Sequence, residues 1–232
     1  MPLALRNTGL GVPGRSVSIA VNKAHYPVTV LGPGRRIGIW LQGCSIRCPG
    51  CVSQDTWARD RGRDMDVEAL LAWCRRTAGD QFDGVTISGG EPFDQPQALG
   101  ALLKGLQRWR KASCREFDVL CYSGYPLATL QRKHGAILPL LDALIAEPYV
   151  DGLPLAHVWR GSANQPLVPM SKLGEARYAP YLDMPAAAAK RMQVAADGDR
   201  LWFIGIPHRG DMATLEALCK SRGLNMNDVS WR

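Results

Sequence analysis

Short runs of apolar residues alternate along this chain with longer stretches in which apolar residues recur at helical spacing. A compact apolar run bounded by turn residues is typical of a buried strand. Residues 37–41, 85–87 and 117–122 form three such runs, and each is followed by a loop that contains glycine. Residues 17–30 have short alternating apolar positions and predict one or two edge strands or a hairpin, with a turn at 31–34.

The stretches between these runs predict helices. Asp66 precedes the first stripe of apolar residues and is expected to cap a helix that ends near Thr77. A second helix is expected to be capped near Asp94, and a third to cover residues 127–133. The stripes behind the first two predictions are Val67, Leu70, Leu71 and Cys74, and then Leu99, Leu102, Leu103 and Leu106.

This alternation of strand and helix predicts an α/β fold with a parallel sheet and crossover helices. In such sheets the loops that follow the strands gather at one edge, where ligands bind. After residue 171 the pattern is less regular: residues 185–192 are rich in alanine and look helical, residues 200–206 predict a strand, and Asp211 is expected to cap a last helix. The final strand and helix predict an extension rather than an independent core.

The composition is that of a globular protein with a substantial core. Of the 232 residues, 46% are hydrophobic and 21% are charged, which excludes a disordered chain. The sequence contains no run of about eighteen apolar residues, so no membrane span is expected. The first residues lack the basic region and apolar core of a secretory signal, which predicts a cytoplasmic protein.

A basic run at the end of the second predicted helix contributes to the net charge of +7. Cations at a helix C-terminus interact favourably with the dipole, so a solvated helix face is the simpler interpretation. An acidic protein partner is the alternative, and nucleic acid is not expected, because only Trp109 interleaves with the run. The run consists of Lys104, Arg108, Arg110, Lys111 and Arg115.

Three of the seven cysteines lie close together. Cys44, Cys48 and Cys51 have the spacing C-x3-C-x2-C. Three thiolates on one tight loop can hold three irons of a cubane cluster and leave the fourth iron open to a substrate or cofactor. A structural zinc site is the alternative, but it usually takes four ligands, and no nearby cysteine or histidine supplies the fourth.

The other four cysteines show no spacing suited to a second cluster. They are expected to be buried structural thiols, because free cysteine behaves as a small apolar residue. Two fall on helical stripes and one lies in a predicted strand. The four are Cys74, Cys114, Cys121 and Cys219.

The cysteine motif is followed about forty residues later by Gly89-Gly90-Glu91-Pro92, and this combination resembles the radical S-adenosylmethionine (SAM) superfamily. Residues 40–51, together with Thr56-Trp57, are similar to the activating proteins of glycyl-radical enzymes, and to the activases of anaerobic ribonucleotide reductase in particular. Three later motifs resemble the same group in the same order: Tyr-Ser-Gly-Tyr at 122–125, Val-Asp-Gly at 150–152 and Arg-Gly-Ser-x-Asn-Gln at 160–165. The resemblance covers roughly residues 30–170.

Two features depart from the wider pattern. Many radical SAM enzymes carry an aromatic residue before the third cysteine, whereas this chain has Gly50, as the ribonucleotide reductase activases do. The stretch after about residue 175 is longer than a minimal activase needs. The second departure bears on the substrate or partner rather than on the chemistry.

The resemblance implies two cofactors and the residues that hold them. Cys44, Cys48 and Cys51 would bind a 4Fe–4S cluster, and the amino and carboxylate groups of SAM would chelate the fourth iron. The remaining contacts to SAM would come from later motifs, which supply glycine backbone, carboxylate, hydroxyl and guanidinium groups. These residues are Gly89, Gly90 and Glu91 at the amino group, Pro92 as the fixed turn, and Tyr122, Ser123, Arg160, Ser162 and Asn164 at the carboxylate or ribose.

Ordinary structural roles remain as alternatives for several of these residues. The Gly-Gly-Glu-Pro segment at 89–92 is also compatible with a plain strand-to-helix turn, and Ser123-Gly124 with a simple turn. Arg160 is also compatible with a surface ion pair.

The resemblance implies a partial, open β/α barrel of the radical SAM type with short N-terminal strands. Residues 1–16 would form a loose arm, residues 17–175 the core, and residues 176–232 a C-terminal strand–helix extension packed on that core. The implied function is reductive cleavage of SAM to a 5′-deoxyadenosyl radical, which takes a hydrogen atom from a glycine Cα of a large partner, a glycyl radical enzyme. An electron donor such as flavodoxin or ferredoxin is implied as a second partner.

Two other functions stay open from the sequence. The same radical chemistry could modify a peptide or a small molecule, in which case the C-terminal extension would cap the site. Alternatively, the cluster could serve electron transfer or sensing without any turnover. Formation of 5′-deoxyadenosine from SAM separates the enzyme functions from the last one.

Overall fold

The fold is that of a computed structural model, which describes residues 17–79, 81–198 and 200–232. The arm expected at 1–16 lies outside the described residues. The strands are β1 (Ser18–Val28), β2 (Arg36–Leu41), β3 (Asp64–Asp66), β4 (Gly84–Gly89), β5 (Asp118–Tyr122), β6 (Ala143–Ile145), β7 (Leu167–Pro169), β8 (Met192–Asp197) and β9 (Arg200–Gly205). The α-helices are α1 (Val67–Ala78), α2 (Pro96–Ser113), α3 (Leu127–His134), α4 (Lys172–Tyr178) and α5 (Asp211–Ser221).

Within the described part of the chain, seven strands form one open sheet in the order β3–β1–β2–β4–β5–β6–β7. Strands β2, β4, β5 and β6 run parallel, with helices in the connections, which confirms the predicted α/β class and the open partial barrel. Strands β1 and β7 are antiparallel additions at either side of this parallel core. Strands β8 and β9 form a separate antiparallel hairpin, so the extension contains two strands where one was predicted.

Helices α1 and α2 cover one face of the sheet. Leu71 of α1 and Leu102 of α2 are fully buried, in one cluster with Ile39 and Ile87 of the strands. The two helices approach closely at Gly105, where a Cβ atom would overlap the Leu71 side chain. Each helix buries one apolar stripe against the sheet. Apolar residues therefore recur at helical spacing in its sequence, and this recurrence predicts the helix.

The opposite face of the sheet is partly filled by a buried ion pair at the amino ends of the strands. The Arg36 guanidinium lies 2.8 Å from Asp118 Oδ1, and both side chains are fully buried. Tyr178 of α4 donates to the same carboxylate at 3.0 Å. Gly84 stands between the pair in the sheet, and any side chain there would overlap the guanidinium. Charged groups, rather than apolar ones, therefore close this end of the barrel.

Of the three helix caps predicted from the sequence, one is at the predicted residue and two are at a neighbouring residue. Asp66 caps α1 as predicted, since its carboxylate accepts from the amide of Glu68 at 2.7 Å. Asp94 does not cap α2: the N-cap residue is Gln95, whose side chain makes no cap hydrogen bond within the described chain. Asp211 is the first residue of α5, with Gly210 at the cap position. The Asp94 carboxylate accepts hydrogen bonds from the amide and the hydroxyl of Ser45 instead.

The structure corrects two further predictions. Residues 17–30 contain one strand, β1, which is one of the predicted alternatives, but it is not an edge strand, because it pairs with both β2 and β3. The alanine-rich stretch at 185–192 contains only a three-residue 3-10 turn, Ala186–Ala188, before β8 begins. Long-range backbone pairing overrides the high helix propensity of alanine here: the Ala186 amide donates to Ala156 at 3.1 Å, and the Arg191 carbonyl accepts from Ile206 at 3.0 Å.

No α-helix in the described ranges of the chain is both long enough and apolar enough to span a bilayer.

Candidate functional site

Three loops that follow parallel strands meet at the carboxyl edge of the sheet. The loop after β2 carries the three cysteines, the loop after β4 carries residues 89–92, and the loop after β5 carries residues 122–125. The first two are joined directly, because the amide of Gly90 donates to Leu41 at 2.8 Å and the amide of Glu91 donates to Gly43 at 2.9 Å. The structure thus brings together three motifs that the sequence separates by up to eighty residues.

The cysteine loop is closed at its base by backbone hydrogen bonds. Gly43 donates to the carbonyl of Thr56 at 2.7 Å, and Cys44 donates to that of Trp57 at 3.1 Å. Gly43 has a φ of 97° and Gly50 a φ of 76°, which are left-handed conformations that glycine adopts without strain. The Gln42 side chain, which is nearly buried, donates to the carbonyls of Asp55 and Ala58 and holds the closing segment in place.

The three thiols of this loop are half-buried and lie within electrostatic reach of one another. Burial raises the pKa of Cys44, Cys48 and Cys51 above the usual value for a thiol. Opposing this effect, the backbone amide of Tyr149 donates to Cys48, and that of Ser53 donates to the sulfur of Cys51 at 3.4 Å. Such N–H···S contacts favour thiolate over thiol and are typical of ligated sulfur.

These residues fit a cluster better than a single metal ion. Among the described residues, no three histidine, cysteine, aspartate or glutamate side chains are close enough together to hold one ion. In a cubane cluster each thiolate binds a different iron, so its ligands stand farther apart than those of one ion. Three soft sulfur donors on one loop, each with an amide or a polar neighbour, match that chemistry.

Gly90 is a point of close approach between the first two loops. A Cβ atom there would overlap the carbonyl oxygen of Gly43, and a Cβ atom on Gly89 would overlap the backbone amide of Leu41. Gly89 also has a φ of 100°. The glycine pair therefore does more than turn the chain: it lets the β4 loop lie directly on the backbone that enters the cysteine loop.

The Glu91 carboxylate is used inside the protein. It is 1% exposed, and its oxygens accept from the Ser123 hydroxyl, the Gly124 amide and the Phe93 amide at 2.8, 2.8 and 2.9 Å. Burial raises the pKa of Glu91 to about 7, against the lowering effect of these donors. The side chain thus ties the second loop to the third. Pro92 follows as the first residue of a short 3-10 turn.

Asp94 is a site residue that sequence reasoning assigned to a helix cap. Its carboxylate accepts from the amide and the hydroxyl of Ser45 at 2.7 and 2.9 Å, and from the Tyr125 hydroxyl at 2.7 Å. Asp94 therefore holds the start of the cysteine loop against the third loop. No local pattern indicates this role, because Ser45 lies 49 residues away in the sequence.

Tyr122 and Arg160 lie on the side of the sheet opposite α1 and α2. The Tyr122 hydroxyl donates to the carbonyl of Trp159 at 2.8 Å, and burial raises the pKa of this phenol. Arg160 is 6% exposed, which rules out the surface ion pair, and it donates to the carbonyls of Tyr181 and Leu182. Its Nε atom is buried without a hydrogen-bond partner among the described residues, so this donor is available to an acceptor.

Ser162 and Asn164 shape a loop beside the cysteines. The Ser162 hydroxyl accepts from the amide of Val150 at 3.1 Å and donates to Asn164 at 2.7 Å. Asn164 in turn donates to the carbonyl of Pro148 at 2.9 Å. These bonds order residues 148–150, whose amide at Tyr149 donates to Cys48. Both residues therefore act on the cysteine loop through the backbone.

The remaining cysteines divide by burial. Cys74 and Cys121 are fully buried, as expected for structural thiols, and burial raises the pKa of Cys74 to about 12. Cys219 is only partly buried and Cys114 is exposed, so burial was wrongly expected for both. Cys114 is the C-cap residue that follows α2 and has a left-handed backbone conformation.

Comparison with known proteins places these features in a family. The family model of the 4Fe-4S single cluster domain matches residues 30–168. The anaerobic ribonucleoside-triphosphate reductase-activating protein of Vibrio cholerae is 34% identical over 145 residues, which are 61% of this chain and 92% of that protein. The proteins of the same name from Escherichia coli K12 and bacteriophage T4 are 32% and 30% identical, over 93% and 89% of their lengths and 61% of this chain.

Among solved structures, QueE from Escherichia coli aligns with a TM-score of 0.39 and 23% identity, over 46% of this chain and 52% of that chain. The family model covers more than half of the present chain, and the relatives are matched over nearly their whole length. The cofactors of this enzyme are a 4Fe–4S cluster and SAM. The chain therefore belongs to the 4Fe-4S single cluster domain family, among the radical SAM activating enzymes.

Proposed function

We propose that this protein generates a glycyl radical on a partner of the anaerobic ribonucleoside-triphosphate reductase class, with Cys44, Cys48 and Cys51 as the cluster ligands. The supporting observation is the convergence of three loops at one sheet edge, joined by the Glu91 carboxylate and the amide-to-carbonyl bond from Glu91 to Gly43. The relatives that match most of their length are named for activation of that reductase.

The bound cofactors supply one-electron cleavage of the SAM sulfonium, which leaves methionine and a 5′-deoxyadenosyl radical. The protein's role is to place and shield them. Backbone carbonyls of Gly89 and Gly90 are the proposed acceptors for the SAM ammonium, because glycine has no side chain to block their approach. Arg160, whose Nε has no partner in the described chain, is the proposed donor to the carboxylate or ribose.

Five of the proposed site residues act by position rather than by direct contact. Glu91 and Ser123 hold the second and third loops together, Tyr122 anchors Trp159, and Ser162 and Asn164 order the backbone next to Cys48. Because their polar atoms already have partners in the chain, we assign them to support of the SAM pocket. Pro92 fixes the turn that presents Glu91.

The radical on the partner is the direct test. Reconstituted protein, SAM and a chemical reductant would be mixed anaerobically with a purified anaerobic ribonucleoside-triphosphate reductase, and the mixture examined by electron paramagnetic resonance (EPR). A protein-borne doublet that loses its splitting when glycine is deuterated at Cα supports the proposal. SAM cleavage without any radical on the reductase would contradict the partner and leave the cleavage chemistry standing. An electron donor such as flavodoxin or ferredoxin would replace the chemical reductant in the cell.

One observation favours a second candidate, radical modification of a smaller substrate. Ile204 of β9 packs against Trp40 of β2, and Trp202 and Tyr122 pack against the same cluster. This hairpin therefore covers part of the sheet face opposite α1 and α2. A covered face leaves less room for a large partner's loop, and a screen for deuterium transfer from small substrates into 5′-deoxyadenosine would identify such an activity.

A further inference from the structure

The last residues of the chain reach back to the segment that follows the third cysteine. The carbonyl of Ser230 accepts from the amides of Gln54 and Asp55 at 2.6 and 3.2 Å. The Ser230 hydroxyl donates to the carbonyl of Val52 at 2.9 Å. Three bonds from one residue therefore fix the backbone that begins directly after Cys51.

This contact satisfies amides that the segment cannot satisfy itself. A 3-10 turn covers Gln54–Thr56, and the side chain of its N-cap residue Ser53 makes no cap hydrogen bond within the described ranges. The first amides of any helical turn lack partners within it and need outside acceptors. Ser230 supplies that acceptor, and the Gln54 side chain adds a bond to the carbonyl of Trp231 at 3.0 Å.

The tail is itself held by the C-terminal extension. The Trp231 indole donates to Oε1 of Glu216 on α5, and the Arg232 guanidinium lies 2.6 Å from Oε2 of the same residue. The Trp231 ring also packs edge-on against Phe203 of β9, with centroids 6.4 Å apart. Glu216 therefore links the tail to the body of the extension through two bonds.

A second contact reaches the other flank of the cysteine loop. Arg209, between β9 and α5, lies 3.3 Å from Oδ2 of Asp151. Asp151 Oδ1 accepts from the Tyr149 hydroxyl at 3.0 Å and stands beside Gly50, where a Cβ atom would come within 2.6 Å of it. The extension thus contacts the surroundings of Gly50 on one side of Cys51 and Val52 to Asp55 on the other.

We propose that the C-terminal segment from residue 200 to residue 232 is a clamp that holds the cysteine loop in its cluster-binding form. Its positioning residues are Arg209, Glu216, Ser230 and Trp231, and all of them lie beyond residue 168, where the match to the family model ends. The clamp rests on the proposed function, because it presupposes a cluster on Cys44, Cys48 and Cys51. Its effect is to slow the loss of iron from a loop that is otherwise exposed at the sheet edge.

The test compares two full-length variants in the same helix. Glu216→Ala removes both bonds to the tail, whereas Leu218→Ala alters an exposed side chain and serves as the matched control. The readouts are the rate at which the reduced, reconstituted protein releases iron to a ferrous chelator, the EPR spectrum of the cluster with and without SAM, and the thermal midpoint.

The clamp predicts that Glu216→Ala releases iron about tenfold faster than the wild type, as expected when one or two hydrogen bonds are lost. Its EPR response to SAM also changes, whereas Leu218→Ala matches the wild type in both. Equal release rates and spectra for Glu216→Ala and the wild type would overturn the clamp alone. If the wild-type protein itself binds no cluster, the proposed ligand set fails, which is a different result.

A second variant guards against a purely structural effect. Arg209→Ala breaks the contact to Asp151 without touching the tail, and the clamp predicts faster iron release for it as well. The proposal is overturned if the two variants release iron faster only in proportion to their lower thermal midpoints and keep the EPR spectrum of the wild type. That result would show that the extension stabilises the fold without acting on the cysteine loop.

Discussion

Glu91 accepts a hydrogen bond through Oε2 from the backbone amide of Gly124 at 2.8 Å, across 33 residues of sequence. Its other oxygen accepts from Ser123 and Phe93. One nearly buried carboxylate thus fixes two loops that follow neighbouring parallel strands. A motif that resembles a direct SAM contact in the sequence is, in the structure, also a brace for the pocket wall.

Replacement of this carboxylate by an amide tests the brace. Glu91→Gln keeps the shape but presents an NH2 group to one of the three donors around it. An unpaired buried donor costs about 1–3 kcal/mol, so the free energy of unfolding should fall by that amount. Chemical denaturation measures the fall, and isothermal titration calorimetry should show weaker SAM binding. Unchanged stability and SAM affinity would contradict the role of the carboxylate.

Titration of Glu91 predicts a pH dependence of stability in the cluster-free protein. Burial raises the pKa of Glu91 from 4.5 to about 7, so the folded state binds a proton more tightly than the unfolded state. The stabilisation is complete below pH 4.5 and is lost as the pH rises through about 7, with a magnitude on the order of 3 kcal/mol. Unfolding free energies of the wild type and Glu91→Gln between pH 4.5 and 8 check this. Parallel curves for the two proteins would show that Glu91 does not titrate in this range.

The close approach at Gly90 predicts sensitivity to a single methyl group. Gly90→Ala would push the alanine Cβ into the carbonyl oxygen of Gly43, and overpacking of this kind costs about 1–3 kcal/mol. The displaced loop should also lower SAM affinity. Gly152→Ala is the matched control, because a Cβ atom there meets nothing of the described chain within 4 Å. Equal SAM affinities of the two variants would contradict the assigned contact.

The buried ion pair at the opposite end of the strands is expected to matter for folding alone. Arg36→Leu leaves the buried Asp118 carboxylate with the Tyr178 hydroxyl at 3.0 Å and the Arg177 guanidinium at 3.9 Å, and loss of one member of a buried ion pair costs about 3–5 kcal/mol. The double variant Arg36→Leu/Asp118→Leu should be less destabilised than the sum of the two single variants. Additive losses in this thermodynamic cycle would show that the two charges do not interact.

Much of the core was readable from the sequence because its signals are local. The apolar stripe of α1 and its cap at Asp66 both involve residues that are close together in the sequence. The helix packs on the sheet with one face, so its apolar positions keep the helical spacing. The strands before the three loops are short, continuous and apolar because helices cover one face and Trp159 and Tyr178 lie on the other. The order of these strands then places the cysteines and the glycine turn at one edge.

The polar contacts that complete the site were not readable, because they join residues far apart in sequence. Asp94 precedes a helix and has the chemistry of a cap, but Ser45 and Tyr125 compete successfully for its carboxylate. Glu216 and Ser230 lie in the region whose pattern was least regular, and the contact from Ser230 to Gln54 spans 176 positions of the numbering, from 54 to 230. Only the folded chain brings such groups together.

The central claim is that Cys44, Cys48 and Cys51 hold the cluster at which SAM is cleaved. The most direct measurement is the yield of 5′-deoxyadenosine when anaerobically reconstituted, reduced protein is incubated with SAM. The wild type should form 5′-deoxyadenosine and methionine in a one-to-one ratio. Cys114→Ser should give the same yield as the wild type, because Cys114 is exposed and lies outside the loop, and Cys48→Ser should form neither product. Product formation by Cys48→Ser at the wild-type rate, or none by wild-type protein that carries a full complement of iron, would contradict the claim.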